Sequence, residues 1–250
     1  MPTDYTKLKH PLKGRGTSHS ALKAFETCRL RTYYSKVLRR YPDFGSAAER
    51  GIKIHGKGEG YLKGTIPSPP KEFKNFRDEM KFIKDLEAIP EMELAVDKNW
   101  QRCDYDQYNR TGKVLFRAKL DASLIYEDAL CIVDYKTGGI YDDHEKQAEA
   151  YAAIGIAHYP RVDNVLVEFW YVDKSERERM GESPFEYEAK DARKLAKDLQ
   201  KRSLVMDGAT MPQLKRATIS ESNCARCKFR SDETMQDGEA GPCEKWKKIF

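Results

Sequence analysis

Two short segments constrain this chain more than any other feature: VLFRAKLDASLIY at 114–126 and ALCIVDYK at 129–136, separated by Glu127-Asp128. In the first, Val114, Phe116, Ala118, Leu120, Ala122 and Leu124 are apolar, and Arg117, Lys119, Asp121 and Ser123 alternate with them. One face is therefore built for a core and the other for polar contacts. In the second, Ala129, Cys131, Val133 and Tyr135 share one face, and Leu130, Ile132, Asp134 and Lys136 the other. A period of two, interrupted by two residues, predicts a β-hairpin. If the turn centres between 127 and 128, paired residue numbers sum to 255, which sets Asp121 opposite Asp134 and Lys119 opposite Lys136.

That register has a chemical consequence. Cross-strand neighbours hold their Cβ atoms roughly 5 Å apart, and two carboxylates so placed repel unless a proton or a cation lies between them. Hard oxygen ligands with spare coordination positions suit Mg²⁺ or Mn²⁺, which can hold a phosphate and activate water. Lys136 on the same face can stabilise charge developing on phosphate or hydroxide. An Asp-x-Lys triplet alone is common on solvated sheet faces; the register is what makes this one informative.

The rest of the chain supplies helices around the hairpin. After a loose arm at 1–17, Ser18 or Ser20 caps a helix expected to run to about Arg40, with Leu22, Phe25, Tyr33, Val37 and Leu38 on its buried stripe. A Gly-rich helix at about 46–62 implies close packing or a special site. Helical spacing of Phe73, Phe76, Met80, Ile83 and Leu86 predicts a third helix at 71–86. Strands are expected at 91–104, 113–126, 129–136, 164–172 and 185–188, with helices at 143–158 and 191–206. A β-meander among helices argues for an α/β or α+β fold with a mixed central sheet. With 250 residues the expectation is a single domain, 1–250: helical at 18–90, a core at 91–190, and a C-terminal helix with a Cys-rich tail at 191–250.

Charge narrows the partner. The net balance is +5, but the first 63 residues carry 14 Lys/Arg against 5 Asp/Glu, so the remainder is net acidic. A basic segment interleaved with Phe25, Tyr33, Tyr34, Tyr41 and Phe44 can track phosphates and stack bases; the alternative is a solvated helix whose aromatics face the core. No apolar run approaches the roughly 18 residues of a membrane helix, and none follows the basic start as in a secretory signal. The expectation is a cytoplasmic, reducing setting with no membrane association.

The stretch FRAKLDASLIYEDALCIVDYKTGG resembles the nuclease core of RecB-like PD-(D/E)XK enzymes, the group that includes phage exonucleases. Gly51-x-x-x-His55 resembles the upstream metal-ligand motif of that family, and Gln147-x-x-x-Tyr151 the motif on the helix after the DYK strand. The resemblance implies a restriction-endonuclease-like fold with His55, Asp121 and Asp134 as metal ligands and Lys136 as the catalytic lysine. It further implies that Gln147 and Tyr151 position substrate or lysine, and Glu93 could add an acidic contact. Leu120 replaces the proline that names the superfamily and the second acid is Asp, neither of which removes a ligand. The match runs over roughly residues 20–172.

The six cysteines divide. Cys131 alternates into an apolar strand face as a small hydrophobe, and Cys103 lies in a polar stretch without an evident partner. Cys224-x-x-Cys227, Cys243 and Cys28 make a set of four. Cys28 in FETCRLRTYY resembles the first cysteine of iron–sulfur nucleases related to the CRISPR-associated RecB-like exonucleases, whose other three lie near the C-terminus. The resemblance implies a [4Fe-4S] cluster; structural Zn²⁺ and free thiols are the alternatives, and the long gap between Cys227 and Cys243 departs from the family's spacing. Taken together the resemblances imply a Mg²⁺- or Mn²⁺-dependent DNA exonuclease acting on linear ends or single strands, as in phage replication, recombination or end processing. The alternatives are a noncatalytic nucleic-acid-binding protein on the same scaffold, and an endonuclease.

Overall fold

The computed structural model describes residues 4–43, 45–106, 111–141, 143–181 and 183–248. Its helices are α1 (His19–Thr27), α2 (Arg29–Thr32), α3 (Gly45–Leu62), α4 (Arg77–Asp85), α5 (His144–His158), α6 (Ala189–Asp207), α7 (Met211–Leu214) and α8 (Glu221–Ala225). Its strands are β1 (Ile89–Val96), β2 (Phe116–Tyr126), β3 (Ala129–Lys136), β4 (Asn164–Tyr171) and β5 (Phe185–Glu188). The chain forms two compact units, one from Ser46–Tyr105 and Arg117–Gln200, the other from Met1–Gly45, Asp106–Phe116 and Lys201–Phe250.

The first unit is built on a five-stranded mixed sheet in the order β1-β2-β3-β4-β5. β2 and β3 are antiparallel, β3 and β4 parallel, and β4 and β5 antiparallel. The parallel pair needs a crossover, which α5 supplies. The hairpin register is the one the alternation predicts, since Ala122 pairs with Val133 and Tyr126 with Ala129. Glu127 takes a left-handed φ of 53° in the two-residue turn.

Each sheet face is covered for a reason visible in its side chains. Ala122, Leu124, Val133 and Tyr135 join Ile54 and Tyr61 of α3, Met80 and Ile83 of α4, and Phe73, Phe76 and Trp170 in one buried cluster. Phe76 stacks on Trp170 with centroids 4.8 Å apart, and Phe73 meets Tyr135 edge-on at 4.8 Å. The glycines of α3 find their explanation here: a Cβ on Gly58 would stand 2.5 Å from Tyr135 Cε2, so only glycine lets the helix come this close. Leu130 and Ile132 point the other way, against α5, where a Cβ on Gly155 would lie 2.7 Å from Leu130 Cδ2.

Three expected elements differ from those observed. The strand expected at 91–104 stops at Val96: Asp97 Oδ1 accepts the N–H groups of Asn99 and Gln101 at 2.8 and 2.9 Å, and the turn folds Arg102 back beside Val96. The helix expected at 71–86 begins as a tight turn at Lys71–Phe76, with Phe73 and Phe76 off helical φ/ψ, and becomes α-helical only at Arg77. The helix expected from Ser18 to Arg40 does start at Ser18, whose Oγ accepts the Ala21 N–H. It breaks at Cys28, which is extended (φ −159°, ψ 111°), before α2 and a π-helical turn at Tyr33–Val37. The break is tolerated because Leu30 N–H, left without a helical acceptor, donates to Arg216 O at 3.1 Å.

This second unit holds α1, α2, α7, α8 and the tail. Tyr41–Asp43 pairs with Thr234–Gln236, and Arg230 bridges to Cys243. Among the N-terminal aromatics Phe25 is buried, Tyr33 and Tyr34 are half-buried and Tyr41 is exposed. Phe44 lies outside the described residues. No described helix is long and apolar enough to cross a membrane.

Candidate active site

β2 and β3 end their ladder just before the two acids. The last ladder pair is Ala122 with Val133, so Asp121 and Asp134, and Lys119 and Lys136, are not ladder partners as the extended register had them. The Asp121 side chain takes over where the ladder stops: its Oδ2 accepts the Tyr135 N–H at 2.7 Å. Its Oδ1 lies 3.0 Å from His55 Nδ1, which α3 brings to the strand end. Lys119 turns instead to Glu91 of β1, in an ion pair.

Asp134 is 5% exposed. Tyr151 OH donates to its Oδ1 at 2.6 Å and Gln147 Nε2 donates to the same atom at 3.1 Å. Gln147 Nε2 also donates to Tyr151 OH at 2.6 Å, while its Oε1 accepts from Lys136 Nζ at 2.8 Å. This fixes the amide: the opposite orientation would set its oxygen against a carboxylate and its NH₂ against an ammonium. Gln147 and Tyr151 reach one carboxylate because four residues are about one helical turn. Asp134 Oδ2 is buried and takes no hydrogen bond. Lys136 Nζ stands 2.6 Å from it, so the ammonium supplies charge there without hydrogen-bond geometry.

The electrostatics follow from two acids in little water. Burial and then the Asp134 charge push the Asp121 carboxyl up, against the opposing pull of His55 and the Tyr135 N–H. Burial draws His55 down, but the hydrogen bond and charge of Asp121, with the charge of Asp134, leave it raised on balance. Burial and Asp134 push the Tyr151 hydroxyl far up, which keeps it a donor.

His55 and Asp121 thus form one pair and Asp134 and Lys136 another, the second bridged by the Gln147 amide and held by Tyr151, and the two pairs act on each other through charge. Glu93 is exposed on β1; its charge acts on Lys119, and no hydrogen bond or ion pair joins it to the acids among the described residues. Among the described residues no three His, Cys, Asp or Glu side chains form a preformed metal cage. The donor set still fits a hard divalent ion: the Asp134 charge raises the cost of ionising buried Asp121, one Asp134 oxygen has no hydrogen bond, and the His55 imidazole is at hand. Phe169 escaped the sequence reading, yet its ring lies 5.0 Å from Lys136 Nζ. The parallel register that pairs Asp134 with Phe169 puts it there, and only knowledge of that register could have found it.

The second unit carries Cys28, Cys224, Cys227 and Cys243, whose charges act on one another, but among the described residues no three of them form a group that could hold a metal. Burial first, then the charges of Cys28 and Cys224, push the Cys243 thiol up; Cys227 is raised by burial, with Cys243 and Cys28 adding to it. Tyr34 beside them is pushed up to about 12, mainly by burial, and donates to Pro242 O at 3.1 Å. Cys131 is half-buried against the sheet's core, as its alternation implies.

A strand-borne pair of acids and a lysine thus lies beside a glutamine and a tyrosine on the following helix, at one site of a mixed α/β sheet. A sequence model of the PD-(D/E)XK nuclease superfamily matches residues 17–231, and the chain belongs to that superfamily. Two solved structures are similar over most of their length. One, described as SSO0001, shares 14% identity with a TM-score of 0.42 and covers 86% of this chain and 84% of that one. The other, from Eubacterium rectale and named "Putative exonuclease", shares 12% identity with a TM-score of 0.44 and covers 83% of this chain and 86% of that one. No curated protein matches the chain in sequence.

Proposed function

We propose that this protein hydrolyses phosphodiester bonds in DNA as an exonuclease dependent on Mg²⁺ or Mn²⁺, in end processing of the kind phage replication and recombination require. The observation that carries the reading is the buried Asp134, with one oxygen unclaimed by any hydrogen bond, beside Lys136 and a second buried acid. His55, Asp121 and Asp134 would hold the ion, which when bound supplies Lewis-acid polarisation of the phosphate and a more acidic water. Lys136, already held by Gln147, presents its ammonium to the phosphate oxygen on which charge develops. Gln147 and Tyr151 hold the Asp134 carboxylate in one orientation. The superfamily model runs through both units, which supports a single nuclease domain.

The test is degradation of end-labelled linear DNA that requires Mg²⁺ or Mn²⁺ and disappears in Asp121→Ala, Asp134→Ala and Lys136→Ala. Full activity in all three variants sinks the assignment. Cutting of closed circles identifies an endonuclease. The alternative of a noncatalytic nucleic-acid-binding protein draws on the mutual pairing of His55 with Asp121 and of Lys136 with Asp134; binding without cleavage in any divalent metal would establish it. For Cys28, Cys224, Cys227 and Cys243 we propose a [4Fe-4S] cluster, with structural Zn²⁺ as the alternative; their shared neighbourhood and mutual charge effects support a common ligand.

A further inference from the structure

On the sheet unit lies a cleft of about 480 Å³ rimmed by Arg50, Lys71, Lys74 and Lys174. A second hollow of about 330 Å³ shares Arg50 and adds Lys53 and Lys57 of α3. Two acids line this surface, and both are already engaged. Asp173 takes the Arg50 guanidinium through both oxygens, at 2.7 and 2.5 Å, and Glu72 takes Lys57 at 2.6 Å. Among the described residues Lys53, Lys71, Lys74 and Lys174 make no ion pair. Lys71, Lys74 and Lys174 around the first cleft, and Lys53 in the second hollow, thus lack a directly paired acid among the described residues, while Lys71 and Lys174 act on Glu72 and Asp173 through charge alone.

The cleft is braced and is tied to the catalytic strand. Asn75 Nδ2 donates to Lys174 O at 2.8 Å, Gly138 N–H to Asp173 Oδ2 at 3.0 Å, and Val172 N–H to Lys136 O at 3.1 Å. A Cβ on Gly51 would lie 3.3 Å from Thr137 Oγ1, so α3 runs close past the residue after Lys136. Lys53 and Lys57 stand two residues either side of His55, about 200° round the helix, and so lie on the opposite face of α3 from it. The cleft is instead tied to the acid-bearing strand through its own lining residues Val172 and Asp173, which bond the backbone at Lys136 and Gly138.

We infer that this lysine cleft is a binding site for the phosphodiester backbone of the substrate strand, holding phosphates other than the one cleaved. The inference rests on the nuclease reading. Lysine fits the task because it serves as a point charge without demanding bidentate geometry, so the cleft carries no base preference. Its role is in affinity rather than in the bond-breaking step.

The experiment compares full-length wild type with Lys71→Gln/Lys74→Gln/Lys174→Gln, using a fluorescent single-stranded oligonucleotide in EDTA and a salt titration. The expected result is a Kd raised about tenfold or more, and a log Kd versus log salt slope lowered by about 0.7 for each phosphate no longer neutralised. At saturating DNA with Mn²⁺, kcat should stay within about twofold while KM rises, since none of the three lysines belongs to the acid pair. An unchanged slope in a variant that melts like wild type overturns the cleft. Polyglutamate displacing the oligonucleotide as well as an equal charge of DNA overturns the assignment to a nucleic-acid strand. If wild type neither binds nor cleaves DNA, the nuclease reading falls and the cleft with it; if wild type does both and the triple variant matches it, only the cleft falls.

Discussion

Asp121 is pulled two ways. Burial and the Asp134 charge disfavour its ionised form, while His55 and the Tyr135 N–H favour it, and the net effect is a raised pKa. A carboxyl whose folded pKa lies above its unfolded value adds stability that is complete at low pH and is lost as pH rises through the folded value. His55 is raised as well, so the benefit of its pairing with Asp121 is also present at low pH and lost on the alkaline side. Without divalent metal, Asp121→Asn should therefore melt higher than wild type above neutrality. The gain should shrink or reverse toward about pH 4, where the unfolded carboxyl itself protonates. A shift of a few degrees is expected, since about 1 kcal/mol moves the midpoint of a chain this size by about 2–4 °C. Melting curves in EDTA across pH check it, and a lower midpoint for the variant on the alkaline side would show the acid pair is not repulsive. The Gln147 amide makes a second prediction: Gln147→Leu removes the amide bridge between Lys136 and Asp134 while leaving their direct ion pair, with an expected loss of about 10–100-fold in kcat at little change in fold, measured by nuclease assay and melting together. At this scale the hairpin alternation made both acids and Lys136 legible. The replacement of ladder pairing by a carboxylate on the Tyr135 N–H was not, because a side chain that substitutes for a backbone partner leaves no periodic trace.

Elements were legible where one period ran undisturbed, as in β3, β5 and α5, and illegible where a local hydrogen bond ended it. Cys28 shows why: Leu22, Phe25, Leu30 and Val37 remain buried on both sides of the break, so the apolar stripe gives no sign of it. The glycines of α3 are the converse case, a visible composition whose purpose needed the structure. Gly58→Ala gains about 1 kcal/mol of helix propensity but drives a methyl to within 2.5 Å of Tyr135, an overpacking that costs about 1–3 kcal/mol. Because Tyr135 also carries the N–H that holds Asp121, the expected result is a lower melting midpoint together with reduced nuclease activity. Gly56→Ala is the control: a Cβ there meets nothing within 4 Å, so the variant should melt slightly higher, with activity retained. Equal effects from the two substitutions would remove the packing explanation for the Gly58 position.

Across the whole molecule, chemistry is divided between the two units: the acids and their lysine belong to the sheet unit, the four-cysteine set to the other. In that unit Cys28 comes from the N-terminal helices while Cys224, Cys227 and Cys243 come from the tail, so a shared ligand would close a loop of nearly the whole chain. Restricting so long a loop lowers the entropy of the unfolded chain, and binding energy drawn from deprotonated thiolates adds to folded stability. The raised thiols of Cys227 and Cys243 describe the protein without that ligand, where burial and neighbouring sulfur disfavour thiolate; a bound cation reverses the preference. Protein purified without oxygen should therefore carry iron and inorganic sulfide with a brown absorbance, or else zinc without colour. In either case Cys28→Ser and Cys224→Ser should lose the metal and melt several degrees lower. Cys131→Ser should keep the metal, because Cys131 packs against the sheet core. Full retention of metal in both Cys28→Ser and Cys224→Ser, or metal-free protein whose melting is indifferent to these substitutions, would return the four cysteines to the status of free thiols.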